Sequence, residues 1–210
     1  MRKTDTNLAI LTAIFVVALV ISNVIASKVV QIGWIEIPAA VLAYPITFLM
    51  TDVISEIWGK RAAQRTVFIG LGVQLMSLGL IYAAIYLPPA SYMLEFNATF
   101  AAALGSTARF VIASLAAYLV AQTIDVTLFH FLKGKFEKHK WIRNNGSTMV
   151  SQLFDTSIFI VIGFAGVVPS LWVMIISQYV VKLCMALCDT PFFYLLTRKN
   201  KKEIKENECC

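Results

Sequence analysis

The sequence predicts an all-α integral membrane protein, a six-transmembrane-helix bundle, on three observations. Hydrophobic residues fill 59% of the 210 positions and charged residues only 14%, against roughly 45–50% and 25% in soluble domains. Six stretches approach the roughly 20 apolar residues that cross a hydrocarbon core of about 30 Å. The basic residues, finally, are segregated into alternate connections. Such a composition excludes a disordered chain, argues against a soluble enzyme, and leaves little of the chain for a soluble domain.

The spans read as Leu8–Ala26, Pro38–Trp58, Thr66–Leu87, Ala108–Phe131, Thr148–Val168 and Leu171–Thr197. Arg2 and Lys3 precede the first, and Lys60, Arg61 and Arg65 follow the second. Lys133, Lys135, Lys138, Lys140 and Arg143 fill the loop after the fourth; Arg198, Lys199, Lys201, Lys202 and Lys205 follow the sixth. Fifteen of the 18 bases thus fall on one side, whereas the outer connections hold Lys28 alone. Positive-inside logic places both termini in the cytoplasm, with a membrane domain over 1–197 and a charged cytoplasmic tail over 198–210. The net charge of +6 is accordingly a topology signal and not a nucleic-acid surface.

Val24-Ile25-Ala26 resembles a signal cleavage site. The apolar run before it is long for a signal peptide, however, and its removal would unbalance the inside charges. Between the first two spans, Ser27–Glu36, with Gly33 and Trp34 amid alternating apolar residues, predicts a small hairpin lid. Asn97-Ala98-Thr99 falls in an outer loop. Cys184 and Cys188, one turn apart, are expected to pack as small apolar residues, and Cys209 and Cys210 end the tail. His130 and His139 do not make a metal cluster, and no cofactor is expected.

The informative residues are those that hydropathy disfavours. Five acids, Asp52, Glu56, Asp125, Asp155 and Asp189, and two bases, Arg109 and Lys182, lie in or beside the spans. Each costs on the order of 2.5–3.5 kcal/mol near a helix centre, so each is hidden, paired or used. Tyr118, Gln122, Asp125 and Phe129 form one stripe of the fourth helix. Thr148, Gln152, Asp155 and Phe159 repeat its spacing on the fifth. Asp52 and Glu56 stand one turn apart on the second, beyond Pro45, which is expected to kink it. Gln178, Lys182 and Asp189 share a face of the sixth ahead of Pro191, and Asn23 with Ser22 adds polarity to the first. Only the third lacks charge and reads as scaffold, with Gln74 as its main polar group. The acidic excess means either protonated carboxyls or a cavity for a cation or a donor-rich molecule. Carboxylates, amides and aromatic rings together suit a planar heterocycle with a guanine-like edge. Spacing does not separate that from a cationic drug or a metabolite amine.

At these residues the chain resembles the bacterial queuosine precursor transporter family, also called putative vitamin uptake transporters. The resemblance runs from about Ser22 to Phe193 and rests on several marks. They are Asn23, the run Pro45 to Asp52 followed by Glu56 and Gly59, Arg109 with Ala113-Ser114 and Ala117-Tyr118, Gln122-x-x-Asp125-x-x-x-Phe129, Ser147-Thr148 with Asp155-x-x-x-Phe159, and Lys182. It implies uptake of 7-cyano-7-deazaguanine, and of its 7-aminomethyl relative, across the bacterial inner membrane for tRNA modification. It also implies a fold similar to the substrate-binding subunits of energy-coupling-factor transporters, with a homo-oligomer or an energising module left open as partner. No Walker motif is present, so the chain does not itself hydrolyse ATP.

On this reading Asn23, Tyr118, Gln122, Asp125, Phe129, Gln152, Asp155 and Phe159 bind the solute. Asp52, Glu56, Arg109, Lys182 and Asp189 form ion pairs that rearrange during transport. Three alternatives remain: a binding subunit that needs an ATPase partner, a cation exporter, and a membrane enzyme. The last is disfavoured by the lack of a metal site, a nucleophile elbow or a reactive cysteine.

Overall fold

The computed structural model describes residues 3–135 and 140–185, with the backbone alone at 122, 125, 126, 129–135 and 140–148. It is almost entirely helical. Helices α1 (Asp5–Ile25), α2 (Tyr44–Trp58), α3 (Lys60–Tyr86), α4 (Leu94–Gly105), α5 (Thr107–Lys135) and α6 (Lys140–Phe164) are followed by α7 (Leu171–Met185). Strands β1 (Val29–Ile32) and β2 (Ile35–Pro38) and a 3-10 turn at Ala39–Leu42 separate α1 from α2. Three stretches, Asp5–Ile25, Lys60–Tyr86 and Ser91–Ala121, are long and apolar enough to cross a membrane, and Met149–Phe164 and Leu171–Met185 are shorter apolar helices.

Two packed groups build the bundle. In the first, Leu11 and Phe15 of α1 meet Met50, Val53, Ile54 and Ile57 of α2, with Ala63 and Val67 of α3 against them. A hydrogen bond between the Thr12 and Thr66 hydroxyls, 3.1 Å apart, ties α1 to α3 inside the same layer. In the second, Phe110, Ala113 and Ala117 of α5 pack on Phe159, Ile160 and Phe164 of α6 and on Met174 and Ile175 of α7. Small residues on α5 let the helices approach, as they do where lipid removes the hydrophobic incentive to associate. Contacts of α1 and α3 with α5 join the two groups. Outward, α1 shows Ile10, Ile14, Val17 and Ile21, a stripe fit for lipid rather than water.

The segment before α2 departs most from a plain helix. The predicted hairpin is present: Val29–Ile32 pairs antiparallel with Ile35–Pro38, and Ile32 faces Ile35 across the turn. Gly33 at φ +63° opens that two-residue turn, which needs a positive φ at its first central position. Pro38 therefore ends a strand, whereas hydropathy alone starts a helix there. Pro45 occupies the first turn of α2 and starts it rather than kinking it, since its missing N–H is no loss at that position. At 15 residues α2 is about 22 Å long, short of a hydrocarbon core of about 30 Å. The remainder is supplied by non-helical backbone through Ala39, Ala40, Val41 and Ala43, all buried in protein. Burial is what permits irregular backbone at such a depth.

Two further corrections concern connections. Lys60, Arg61 and Arg65 belong to the first turns of α3, because Gly59 alone joins it to α2; its φ of +89° makes that abrupt reversal. The stretch containing Asn97-Ala98-Thr99 is helix α4, held to α3 by the Tyr82 hydroxyl donating to the Gly105 carbonyl at 3.0 Å. Trp34, Tyr86, Tyr92 and Trp172 are exposed at the hairpin turn, the end of α3, the turn before α4 and the start of α7. All four sit at one end of the bundle, the pattern of an interfacial aromatic belt.

The α5–α6 contact depends on Gly163. A methyl group there would stand 3.1 Å from the Phe110 ring, itself locked between Phe159 and Phe164. Gly163→Val should cost about 1–3 kcal/mol through overpacking, lowering the melting temperature of the detergent-solubilised protein. Gly79→Val, which meets nothing within 4 Å, should leave it near the parent value.

Candidate functional site

Where the two helix groups meet, they leave a cavity of about 350 Å³. The three-helix group supplies Ser22 and Asn23 from α1, Tyr44, Thr47, Phe48 and Thr51 from α2, and Lys60 and Gln64 from α3. The other group supplies Ser114 and Tyr118 from α5, Asp155 and Phe159 from α6, and Lys182 from α7. Around Ser22, Asn23 and Ala40 the wall is buried, whereas Lys60 and Gln64 at the opposite end are exposed. The 3-10 turn thus closes one end through Ala40, and the α2–α3 junction is the open one.

Its electrostatic centre is a pair of opposite charges. Lys182 Nζ donates to Asp155 Oδ2 at 2.9 Å. The lysine is 5% exposed and the aspartate 27%, so the acid is the member reached from the cavity. The ammonium also stands 4.7 Å from the centre of the Tyr44 ring, a cation–π contact that strengthens where water is excluded. The Tyr44 hydroxyl in turn accepts from Gln178 Nε2 at 3.2 Å, leaving Gln178 Oε1 buried without a partner. Four side chains from α2, α6 and α7 therefore form one connected network. It places Tyr44, at the very start of the short α2, in the middle of the site.

The aromatic walls are Phe15, Phe48, Tyr118 and Phe159. Phe159 is anchored by Phe110 and Phe164, with ring centres 6.2 and 6.3 Å away. It is consequently a rigid surface, while Tyr118 is half-buried.

Of the residues singled out from the sequence, the cavity gathers Asn23, Tyr118, Asp155, Phe159 and Lys182. Gln152 is not among its lining, and its Oε1 is buried without a partner. One turn of helix separates it from Asp155, but positions three apart differ by about 60° around the axis, and the cavity takes only the acid. The backbone of α5 carries Gln122, Asp125 and Phe129 beyond Tyr118, but their side chains lie outside the description. Asp189, Pro191 and Cys188 lie outside the described residues, as does the tail. Asp52 and Glu56 are exposed on α2 and do not line the cavity. Cys184 is exposed on α7 instead of packed.

Arg109 requires a correction. Its guanidinium donates to the carbonyls of Ile162 at 2.7 Å and Ala165 at 2.6 Å, at the C-terminal end of α6. A helix end offers unsatisfied carbonyls and a partial negative charge, so the arginine serves as an inter-helix cap and not as an ion-pair switch. Lys60 and Gln64, which precede the apolar span Thr66–Leu87 on α3, form the open rim. Thr47, Phe48 and Thr51 stood out in the sequence only within the run Pro45 to Asp52 that carries the family resemblance, and Tyr44 not at all, although their spacing of three, four and seven draws a polar–aromatic stripe on α2. No cluster of metal-ligating side chains occurs among the described residues.

Residues 38–196 match the family model described as "Putative vitamin uptake transporter". The chain is 32% identical over 181 residues to a protein of Bacillus subtilis (strain 168) described as "Probable queuosine precursor transporter", with 84% of this chain and 79% of that one covered. No solved structure matches.

The pair should behave as a unit. Removing the acid strands the buried ammonium, at a cost of about 3–5 kcal/mol. Asp155→Asn should therefore melt well below the parent protein, and adding Lys182→Met should restore much of the loss. A double variant no more stable than the single one would show that the two charges are not coupled.

Proposed function

The chain belongs to the "Putative vitamin uptake transporter" family, and on that premise we propose that it imports queuosine precursors, 7-cyano-7-deazaguanine and 7-aminomethyl-7-deazaguanine. The membrane crossed is the bacterial inner membrane, with six spans and both termini in the cytoplasm. The observation that supports this reading best is the partly exposed Asp155, whose Oδ2 is engaged by Lys182 while the residue faces a cavity walled by aromatic rings. A volume of about 350 Å³ lies within the range of small-molecule sites, roughly 300–1,000 Å³.

In this mechanism the solute enters as a flat ring between Phe159 and Tyr118. Asp155 accepts N–H groups from its guanine-like edge with the oxygen not held by Lys182, and Asn23 adds an amide. As the solute engages Asp155, the ammonium of Lys182 loses part of its partner and leans on the Tyr44 ring, which weakens the joint between α6 and α7. Under the topology read from the basic residues, the exposed Lys60–Gln64 rim faces the cytoplasm, and the hairpin and 3-10 turn close the outer side. In this reading the cavity is open inward, and outward opening requires that cap to part from Phe110 and Phe164.

Uptake of labelled 7-cyano-7-deazaguanine into vesicles containing this chain alone tests the reading. The parent protein should accumulate the solute. Asp155→Asn should lower uptake about 10- to 100-fold per molecule of protein in the membrane, given about 1.5–3 kcal/mol for a hydrogen bond to a charged group. Binding without accumulation would make the chain a receptor for an energising partner. Undiminished uptake by Asp155→Asn would remove the acid from the site.

A further inference from the structure

Every hydroxyl carries one proton and two lone pairs, so it matters where each proton in the cavity wall goes. Ser22 donates to the Leu19 carbonyl at 2.7 Å. Thr47 donates to the Tyr44 carbonyl at 2.9 Å. Thr51 shares its proton between the carbonyls of Thr47, at 3.0 Å, and Phe48, at 2.9 Å. All three residues line the cavity. Each has spent its only proton on its own helix, and what remains for a solute is lone pairs. Asn23 beside them donates Nδ2 to the same Leu19 carbonyl at 3.2 Å, keeping its carbonyl oxygen and one N–H.

Donors stand elsewhere. Lys182 is an ammonium with no acceptor capacity, and Tyr44, having accepted from Gln178, retains its own O–H. The wall formed by α1 and α2 is therefore polarised. A strip of acceptors runs about one turn, roughly 6 Å, along α2 and is continued by Ser22 on α1. The Lys182–Tyr44 corner, in contrast, offers donors.

We infer that Ser22, Thr47 and Thr51 form a donor-reading strip that selects solutes presenting adjacent N–H groups, a specificity element separate from Asp155. Lone pairs facing lone pairs repel. An edge bearing only ring nitrogens or carbonyl oxygens is rejected there, whereas an edge with an amino and an imino N–H is matched. The exocyclic amino group then meets this strip, while the neighbouring ring N–H reaches Asp155. This inference rests on the deazaguanine reading for the identity of the solute.

The test compares two ligands on three proteins in detergent, by titration calorimetry: 7-cyano-7-deazaguanine and its analogue with the exocyclic amino group replaced by hydrogen. The parent protein should prefer the amino-bearing ligand about tenfold or more. Thr47→Val/Thr51→Val keeps shape but removes both acceptors, and should shrink that preference to within about threefold. Thr47→Ser/Thr51→Ser keeps the oxygens and should retain it. Because the readout is a ratio of two affinities on one preparation, loss of folded material does not mimic the result. A valine variant with the full parental preference overturns the inference and leaves the transport reading intact. Failure of the parent protein to bind either ligand overturns both.

Discussion

One lysine placed where hydrocarbon would punish it organises this molecule. Lys182 is buried, and its charge is met by Asp155 from α6, the ring face of Tyr44 from α2 and, through the tyrosine hydroxyl, Gln178 of its own helix. A buried ion pair is a weak source of net stability, because desolvation consumes most of the Coulombic gain. Its presence is better accounted for by what it holds open. Asp155 is drawn to one side of the cavity with one oxygen committed, and α6 is joined to α7 at a polar contact that a competing ligand can loosen. Apolar packing of the same volume would give a firmer joint and no site.

The broken second element follows from that constraint. A continuous helix from Pro38 to Trp58 would carry every backbone polar group in its own ladder and would leave Tyr44 as one position among many. The hairpin and 3-10 turn instead occupy the upper part of the bundle, and α2 begins at the level of the Lys182–Asp155 pair. Membrane transporters commonly bind solutes at such interruptions, where helix ends and free side chains can be aimed at one point. The buried alanines of the turn let it fit between α1 and the aromatic core of Phe110 and Phe164. Arg109 secures the same end by capping α6. The capped end and the open Lys60–Gln64 rim are thus consequences of one architectural choice.

Much of this was legible in the sequence. Long apolar runs marked α1, α3, α5, α6 and α7, and Gly33-Trp34 amid alternating residues marked the hairpin. The cost of burying charge pointed to Asp155 and Lys182, and helical periodicity put Phe159 and Tyr118 beside them. The losses have physical causes. Hydropathy measures transfer into lipid and not backbone geometry, so Pro38–Trp58 read as a uniform span. Arg109 read as a charge in search of an acid because the acceptors it meets are backbone carbonyls, which no side-chain pattern displays. Tyr44 escaped notice, and the threonines of α2 stood out only as part of a family-like run, since none is costly to bury alone. Their importance arises from bonds to α7 and to their own helix. Gln152 misled because a helical stripe is wider than the cavity it faces.

The central claim is that the solute sits against Asp155, between Phe159 and Tyr118, at the meeting of the two helix groups. An experimental structure of the protein with 7-cyano-7-deazaguanine bound tests it most directly. The account predicts the ring within stacking distance of Phe159 or Tyr118, with its N–H edge on Asp155 and the threonines of α2. Solute density outside this cavity, or an Asp155 still closed on Lys182 with no contact to the ligand, would contradict it.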